Sequence, residues 1–203
     1  EHFHDTRIRF SKFENNQGAA AARNFGISKA RGQFVAFQDS DDIWLPRKLE
    51  FQVQLARELS QPGVVYTRFL KFSDNSLAIR PKSERLFDWD VTKDLLTATF
   101  VGTVALLLPR EALETVGPFD EDMESREDLD LMIRLARKYP FYSVNEPGFI
   151  YDQRGTLRVT SNLKNLAEGT AKLIHNNISV FVLYPEHYAR ALGDLGHMYL
   201  KLG

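Results

Sequence analysis

Three carboxylates fall within four residues at Asp39-Ser40-Asp41-Asp42, directly behind the apolar run Phe34-Val35-Ala36-Phe37. Like charges so crowded disfavour ionisation unless a cation or hydrogen-bond donors compensate. An all-oxygen, carboxylate-rich set suits Mg²⁺ or Mn²⁺, ions that also bind substrate phosphates. In open α/β sheets ligands bind beyond the carboxyl ends of strands, which is where the tetrad would stand. Asp39 and Asp41 are therefore candidate metal ligands. The alternative is a turn with an N-cap, in which Asp42 caps the helix that Pro46 leads into. Asp42 is the member of the tetrad best assigned to structure.

Two other segments could contribute. Ser125-Arg126-Glu127-Asp128-Leu129-Asp130 opens a helical pattern, and acidic residues at a helix start are favoured by the helix dipole alone. If Asp128 lies across a cleft from Asp39 and Asp41, it can instead accept a proton from an acceptor hydroxyl. Arg23 and Asn24 sit in an alanine-rich helix. A helix N-terminus with an arginine can bind a diphosphate; a helix packed by its alanines with a solvated arginine explains the same residues. His2, His4, His175, His187 and His197 show no zinc-like spacing.

The elements that must position these residues alternate. Arg7-Ile8-Arg9-Phe10 has the period of a short half-buried strand. Turn chemistry at Asn15–Gly18 precedes a helix through Ala30, and Phe34–Phe37 has the continuous apolar pattern of a strand buried on both faces. A helix follows Pro46 to Ser60, with Leu49, Val53, Leu55 and Leu59 as its apolar side. Strands are expected at Val64–Phe72, Val101–Leu108, Phe141–Val144 and Phe149–Tyr151. Short helices are expected after Pro109 and from Glu127 to Lys138. Ser73–Asp90, with Arg80, Lys82 and Arg85, has the polar, basic character of a long loop. From Leu163 the period is helical, broken at Pro185. This order predicts an α/β sandwich with a largely parallel sheet.

The 203 residues can bury a full core. A net charge of -1 and a pI of about 6.6 give no general basic character, so no nucleic-acid partner is expected. The absence of cysteine excludes disulfides, thiolate zinc sites and cysteine nucleophiles. No apolar run reaches the length of a membrane span, and a cytoplasmic protein, peripheral at the inner membrane face, is the expectation.

Taken in order, Asn16-Gln17-Gly18-Ala19-Ala20-Ala21-Ala22-Arg23-Asn24-Phe25-Gly26-Ile27, Ala30-Arg31-Gly32 and Phe37-Gln38-Asp39-Ser40-Asp41-Asp42-Ile43-Trp44-Leu45-Pro46-Arg47-Lys48-Leu49 resemble glycosyltransferase family 2, the inverting enzymes of that name. The resemblance continues through Val116-Gly117-Pro118-Phe119-Asp120-Glu121 and Glu127–Leu135, and covers roughly residues 7 to 160. It implies a GT-A-like (Rossmann-like) fold over residues 1–160, with a C-terminal helical extension over 161–203. It also implies a nucleotide-diphospho-sugar donor, a saccharide, lipid-linked or protein acceptor, and Mg²⁺ or Mn²⁺. By this likeness Asp39 and Asp41 match the DxD pair holding metal and donor, Asp128 matches the catalytic base, and Arg23 and Asn24 lie beside the nucleotide. Polysaccharide or glycoconjugate biosynthesis is the setting it suggests.

Two departures stand out. The family pattern opens with a strand, a helix and a second strand that grips the nucleotide base, and none of these precedes Glu1. The chain is thus expected to be the C-terminal part of the core, inactive alone or leaning on a partner or a second copy across an open sheet edge. In Tyr151-Asp152-Gln153-Arg154-Gly155, Asp152 stands where an arginine often follows the tyrosine, and Arg154 is its substitute. Two other functions compete: a non-catalytic binding module that keeps the fold, and a nucleotidyltransferase using similar aspartate–metal chemistry.

Overall fold

The computed structural model describes residues 5–73, 76–81, 88–97, 100–152 and 162–203. Helix α1 (Gly18–Lys29) leads to strand β1 (Phe34–Ala36), the acidic turn and strand β2 (Asp42–Trp44). Helix α2 (Lys48–Glu58), the long strand β3 (Val64–Ser73) and its hairpin partner β4 (Ser76–Arg80) follow. Then come α3 (Thr92–Thr97), a 3₁₀ turn at Thr103–Ala105, β5 (Leu106–Pro109), α4 (Arg110–Val116), α5 (Glu127–Ala136) and β6 (Phe141–Asp152). Helices α6 (Leu163–Asn176), α7 (Ile178–Phe181) and α8 (Pro185–Leu202) complete the chain.

The strand order is β1-β5-β3-β6-β2, with β4 added to β3. Alternation along the strands divides the core. Val64, Tyr66, Leu106 and Leu108 join Leu131, Leu135 and Phe141 in the main cluster, which α5 covers. Val65, Leu107 and Val144 face a smaller cluster with Phe51 and Val53 of α2.

The α/β sandwich is as expected, but the sheet is not mostly parallel. Only β3 and β6 run parallel, while β1–β5, β2–β6, β3–β4 and β3–β5 are antiparallel. An apolar run reports burial on both faces and carries no information on strand direction. The two strands expected near residue 141 and residue 149 are one strand, bent where the β3 register shifts around Arg68. Part of the expected long loop is β4, while Lys82 and Arg85 lie outside the described residues, as does Arg154. Arg7–Phe10 forms no strand; among the described strands none pairs with it, and Ile8 and Phe10 are exposed. Asp42 does not cap α2: it starts β2 opposite Tyr151, and Arg47 stands at the cap.

Helix α2 departs most from its apolar pattern. Leu49 is exposed, whereas Lys48 and Gln52 are fully buried. Gln52 donates to the carbonyls of Val65 (3.1 Å) and Ala105 (2.8 Å) and accepts from Lys48 Nζ at 2.7 Å. The ammonium lies 4.4 Å from the Trp44 ring centre. Burial pushes the lysine pKa down to about 7 from an ordinary 10.5. Buried polar groups that find hydrogen-bond partners inward fix the helix in one register over the sheet.

Close approach also governs α6. A Cβ on Gly169 would stand 2.3 Å from the Ser125 carbonyl oxygen, so the helix rests directly on the backbone before α5.

Two outcomes follow from these contacts. Gly to Ala inside a helix ordinarily gains up to about 1 kcal/mol, but Gly169→Ala should cost about 1–3 kcal/mol by overpacking; a stabilised variant in urea denaturation would refute the contact. The unfolded chain binds more protons than the folded one between pH 7 and 10 because the folded Lys48 value is lowered, so folding stability gains across that window. Wild-type stability should accordingly rise relative to Lys48→Met over that range, and a pH-independent difference would show an ammonium that stays charged.

Candidate active site

The acidic turn leaves β1 at the sheet end and is held by its own neighbours. The Asp42 N–H donates to the Asp39 carbonyl at 3.2 Å. Gln38 Nε2 donates to the carbonyls of Asp39 (2.8 Å) and Asp42 (2.7 Å). With the backbone closed this way, the side chains of Asp39 and Asp41 are left to other partners. Asp39 is half-buried and Asp41 exposed.

Arg23 reaches this turn from α1. Its Nη2 donates to both oxygens of Asp39, at 3.1 and 3.3 Å, and its Nη1 donates to Glu127 Oε1 at 2.8 Å. The guanidinium lies 5.5 Å from the centre of the Phe119 ring, which meets Phe37 edge to face. Burial opposes the charge of Arg23, but Asp39 and Glu127 outweigh it and raise the pKa. One guanidinium therefore spans the loop after β1 and the first residue of α5.

Asp128 follows Glu127 and is part-buried, accepting from the Leu129 N–H at 2.7 Å. Desolvation first, and then the charge of Glu127, raise its pKa; the Leu129 N–H, Arg23 and Arg126 act in the opposite sense. A carboxylate of raised basicity within the field of Arg23 has the character of a general base. Arg126, two residues before Asp128, holds a left-handed backbone with φ 68°. Such strain in a non-glycine residue tends to gather at functional sites.

Asn24 has a different place. Its Oδ1 accepts from the Phe119 N–H at 2.9 Å, and its Nδ2 donates to the Phe119 carbonyl at 2.9 Å and to Glu121 at 2.8 Å. The turn it grips is held on two further sides. Arg134 donates to the carbonyls of Val116, Gly117 and Pro118, and Lys172 and Asn176 bind Asp120 from α6.

A groove of about 530 Å³ runs between α1 and the β1 edge, with Arg23, Asp39 and Ser40 among its lining residues. Among the described residues no three His, Asp or Glu side chains converge on a protein-only metal site. Two carboxylates on one turn fit a cation that arrives with phosphate oxygens, since Mg²⁺ is usually held by one or two carboxylates plus substrate phosphates.

The structure thus gathers Arg23, Asp39 and the Glu127-Asp128 pair, with Asp41 on the same turn. Sequence reasoning passed over Gln38, Phe119 and the role of Glu127. Glu127 was hidden because an acidic helix start has an ordinary explanation, and Phe119 because a ring beneath a guanidinium needs three-dimensional proximity. The amide of Gln38, set beside the tetrad, was the one local signal available.

Comparison with known proteins places the chain in a family. The profile described as "Glycosyltransferase like family 2" matches residues 2–188. The Escherichia coli protein WfgD, a UDP-Glc:alpha-D-GlcNAc-diphosphoundecaprenol beta-1,3-glucosyltransferase, is 30% identical over 148 residues, covering 73% of this chain and 55% of WfgD. Bacillus subtilis (strain 168) TuaG, assigned to teichuronic acid biosynthesis as a glycosyltransferase, is 30% identical over 155 residues, covering 70% of this chain and 55% of TuaG. The chain spans about half the length of these relatives. The crystal structure of S. aureus TarS 1-349 superposes with a TM-score of 0.58 at 18% identity, over 93% of this chain and 63% of that one. The chain belongs to the glycosyltransferase-like family 2 and has its GT-A type of fold.

Proposed function

We propose that this chain carries the transfer site of an inverting glycosyltransferase that moves a sugar from a nucleotide-diphospho-sugar to a hydroxyl acceptor. The observation that carries the reading is the Arg23 bridge, which ties the carboxylates of Asp39 and Glu127 to one guanidinium, with Asp128 next to Glu127 in the chain. Arg23 faces the donor diphosphate, and Asn24 serves the nucleotide side by fixing the Phe119 platform beneath Arg23. Asp39 and Asp41 would hold the Mg²⁺ or Mn²⁺, whose charge offsets that developing on the diphosphate.

Asp128 accepts the proton of the acceptor hydroxyl. The new C–O bond forms at the anomeric carbon on the face opposite the diphosphate, the glycosidic C–O bond to the diphosphate breaks, and the electron pair leaves with it. A single displacement inverts the anomeric configuration. Raised basicity at Asp128 improves proton acceptance in this step, as Brønsted behaviour requires.

The named substrates of WfgD favour a UDP-hexose donor and a diphospho-polyprenol-linked saccharide as acceptor, in cell-surface polysaccharide or glycoconjugate synthesis. Work at the cytoplasmic face of a membrane would suit such an acceptor; among the described residues no helix is long and apolar enough to cross one. A homo-oligomer over the open edge of β1 and a division into a core to residue 160 and a helical extension from 161 belong to the same proposal.

Nucleoside diphosphate release by the full-length protein from a panel of UDP-, GDP- and dTDP-sugars tests this reading. Asp128→Asn should lower turnover about a hundredfold or more, and Asp41→Ala should weaken it in the same direction; unchanged transfer in both would remove the assignment.

The raised pKa of Asp128 has its own consequence. Below the unfolded value both states are protonated and nothing is lost, but the cost to folding grows as pH rises through the folded value and persists at neutrality. Asp128→Asn should therefore melt higher than wild type at pH 7.5, with the gap closing toward pH 4. A gap that widens on acidification would contradict a raised value.

A further inference from the structure

We propose that Glu127 is a positioning residue for the donor, holding Arg23 at the cleft by a bond that persists when a cation takes Asp39. This inference rests on the donor reading above and extends it to a residue outside the paired aspartates and the base.

The two arms of Arg23 are unequal. The Glu127 arm is shorter, at 2.8 Å, and both of its side chains are only 16% exposed. The Asp39 arm is longer, at 3.1 and 3.3 Å, and its carboxylate is 36% exposed. Screening weakens the wetter contact more, so the Asp39 arm is the one that gives way. Both Asp39 oxygens accept from Nη2, and a cation coming to Asp39 competes with it for the carboxylate. An arginine with no second carboxylate would either follow Asp39 and oppose the cation or swing out to solvent. Glu127 prevents both, because Nη1 stays bound while Nη2 turns from Asp39 to a phosphate oxygen. Phe119 beneath the guanidinium and the Asn24 clamp on its backbone keep the plane of the fork aligned.

Charge points the same way. Asp39, Asp41 and Glu127 against Arg23 leave two net negative charges, matching a divalent cation. Without Glu127 the set carries one, and the arginine field at Asp39 is no longer balanced.

A double-mutant cycle isolates this coupling. Mn²⁺-dependent binding of UDP, GDP and dTDP by the full-length protein is followed by titration calorimetry for wild type, Arg23→Ala, Glu127→Ala, Glu127→Gln and the Arg23→Ala/Glu127→Ala pair. Glu127→Ala should weaken binding about tenfold or more, the scale of one charge-assisted hydrogen bond. The double variant should bind no worse than Arg23→Ala alone. Glu127→Gln, which keeps an acceptor for Nη1, should fall between wild type and Glu127→Ala. Thermal melting verifies that each variant is folded, and a variant that is not folded is replaced by its conservative counterpart, Arg23→Lys or Glu127→Gln, in the same cycle. Wild-type binding with additive losses, or with none in Glu127→Ala, overturns the positioning role alone. Absence of Mn²⁺-dependent binding by the wild type to all three nucleotides overturns the donor reading and this inference together.

Discussion

The ion pair that the site depends on is the one Arg23 makes twice. Asp39 and Glu127 stand 88 positions apart, on a loop behind an edge strand and on the first turn of a helix. Nothing in the backbone ladder joins these two segments directly. Two part-buried carboxylates brought near each other would repel; a guanidinium between them turns the repulsion into a fixed spacing. The aromatic ring beneath and the asparagine beside it give that cation a defined plane. Asp128 takes its electrostatic environment from the same arrangement, since it sits next to Glu127 and within the field of Arg23.

The rest of the fold serves to keep the two walls of the cleft in place. The Val116–Asp120 turn is gripped by Asn24 from α1, by Arg134 from α5 and by Lys172 and Asn176 from α6. Three helices so converge on one short turn, and the turn carries Phe119. On the opposite face of the sheet, the Lys48–Gln52 pair locks α2 over β3 and the 3₁₀ turn. These polar contacts add geometric definition to a core whose apolar residues alone would tolerate sliding.

Much of this was legible in the sequence. The tetrad after Phe34–Phe37, the helix opening at Glu127 and the arginine in the alanine-rich helix are local patterns, and local patterns survive translation into structure. Strand direction was not legible, because Val64–Phe72 and Phe141–Tyr151 show burial and alternation without showing who lies beside whom. The apolar side expected for α2 left out Lys48 and Gln52 for a related reason: a hydropathy pattern counts only apolar side chains inward, whereas here a charged and an amide side chain find partners there. Ile8 and Phe10 erred in the other direction, since alternation makes a strand only where a neighbouring strand accepts its hydrogen bonds. Asn24 sits within a recognisable motif, yet its amide is turned to the Phe119 backbone, a role visible only once the turn is seen beside it.

The seat of Gly169 on the Ser125 carbonyl has a consequence for how such chains can be recombined. The C-terminal helices look exchangeable, being amphipathic and last in order, and a natural impulse would be to swap them between relatives to alter acceptor choice. The contact makes α6 and the Ser125–Asp130 segment one inherited unit. A transplanted helix with any side chain at that position would push on the Ser125 carbonyl, next to the strained Arg126. Crossover points in chimaeras, natural or designed, should therefore fall before Ser125 or after α6, with both pieces travelling together.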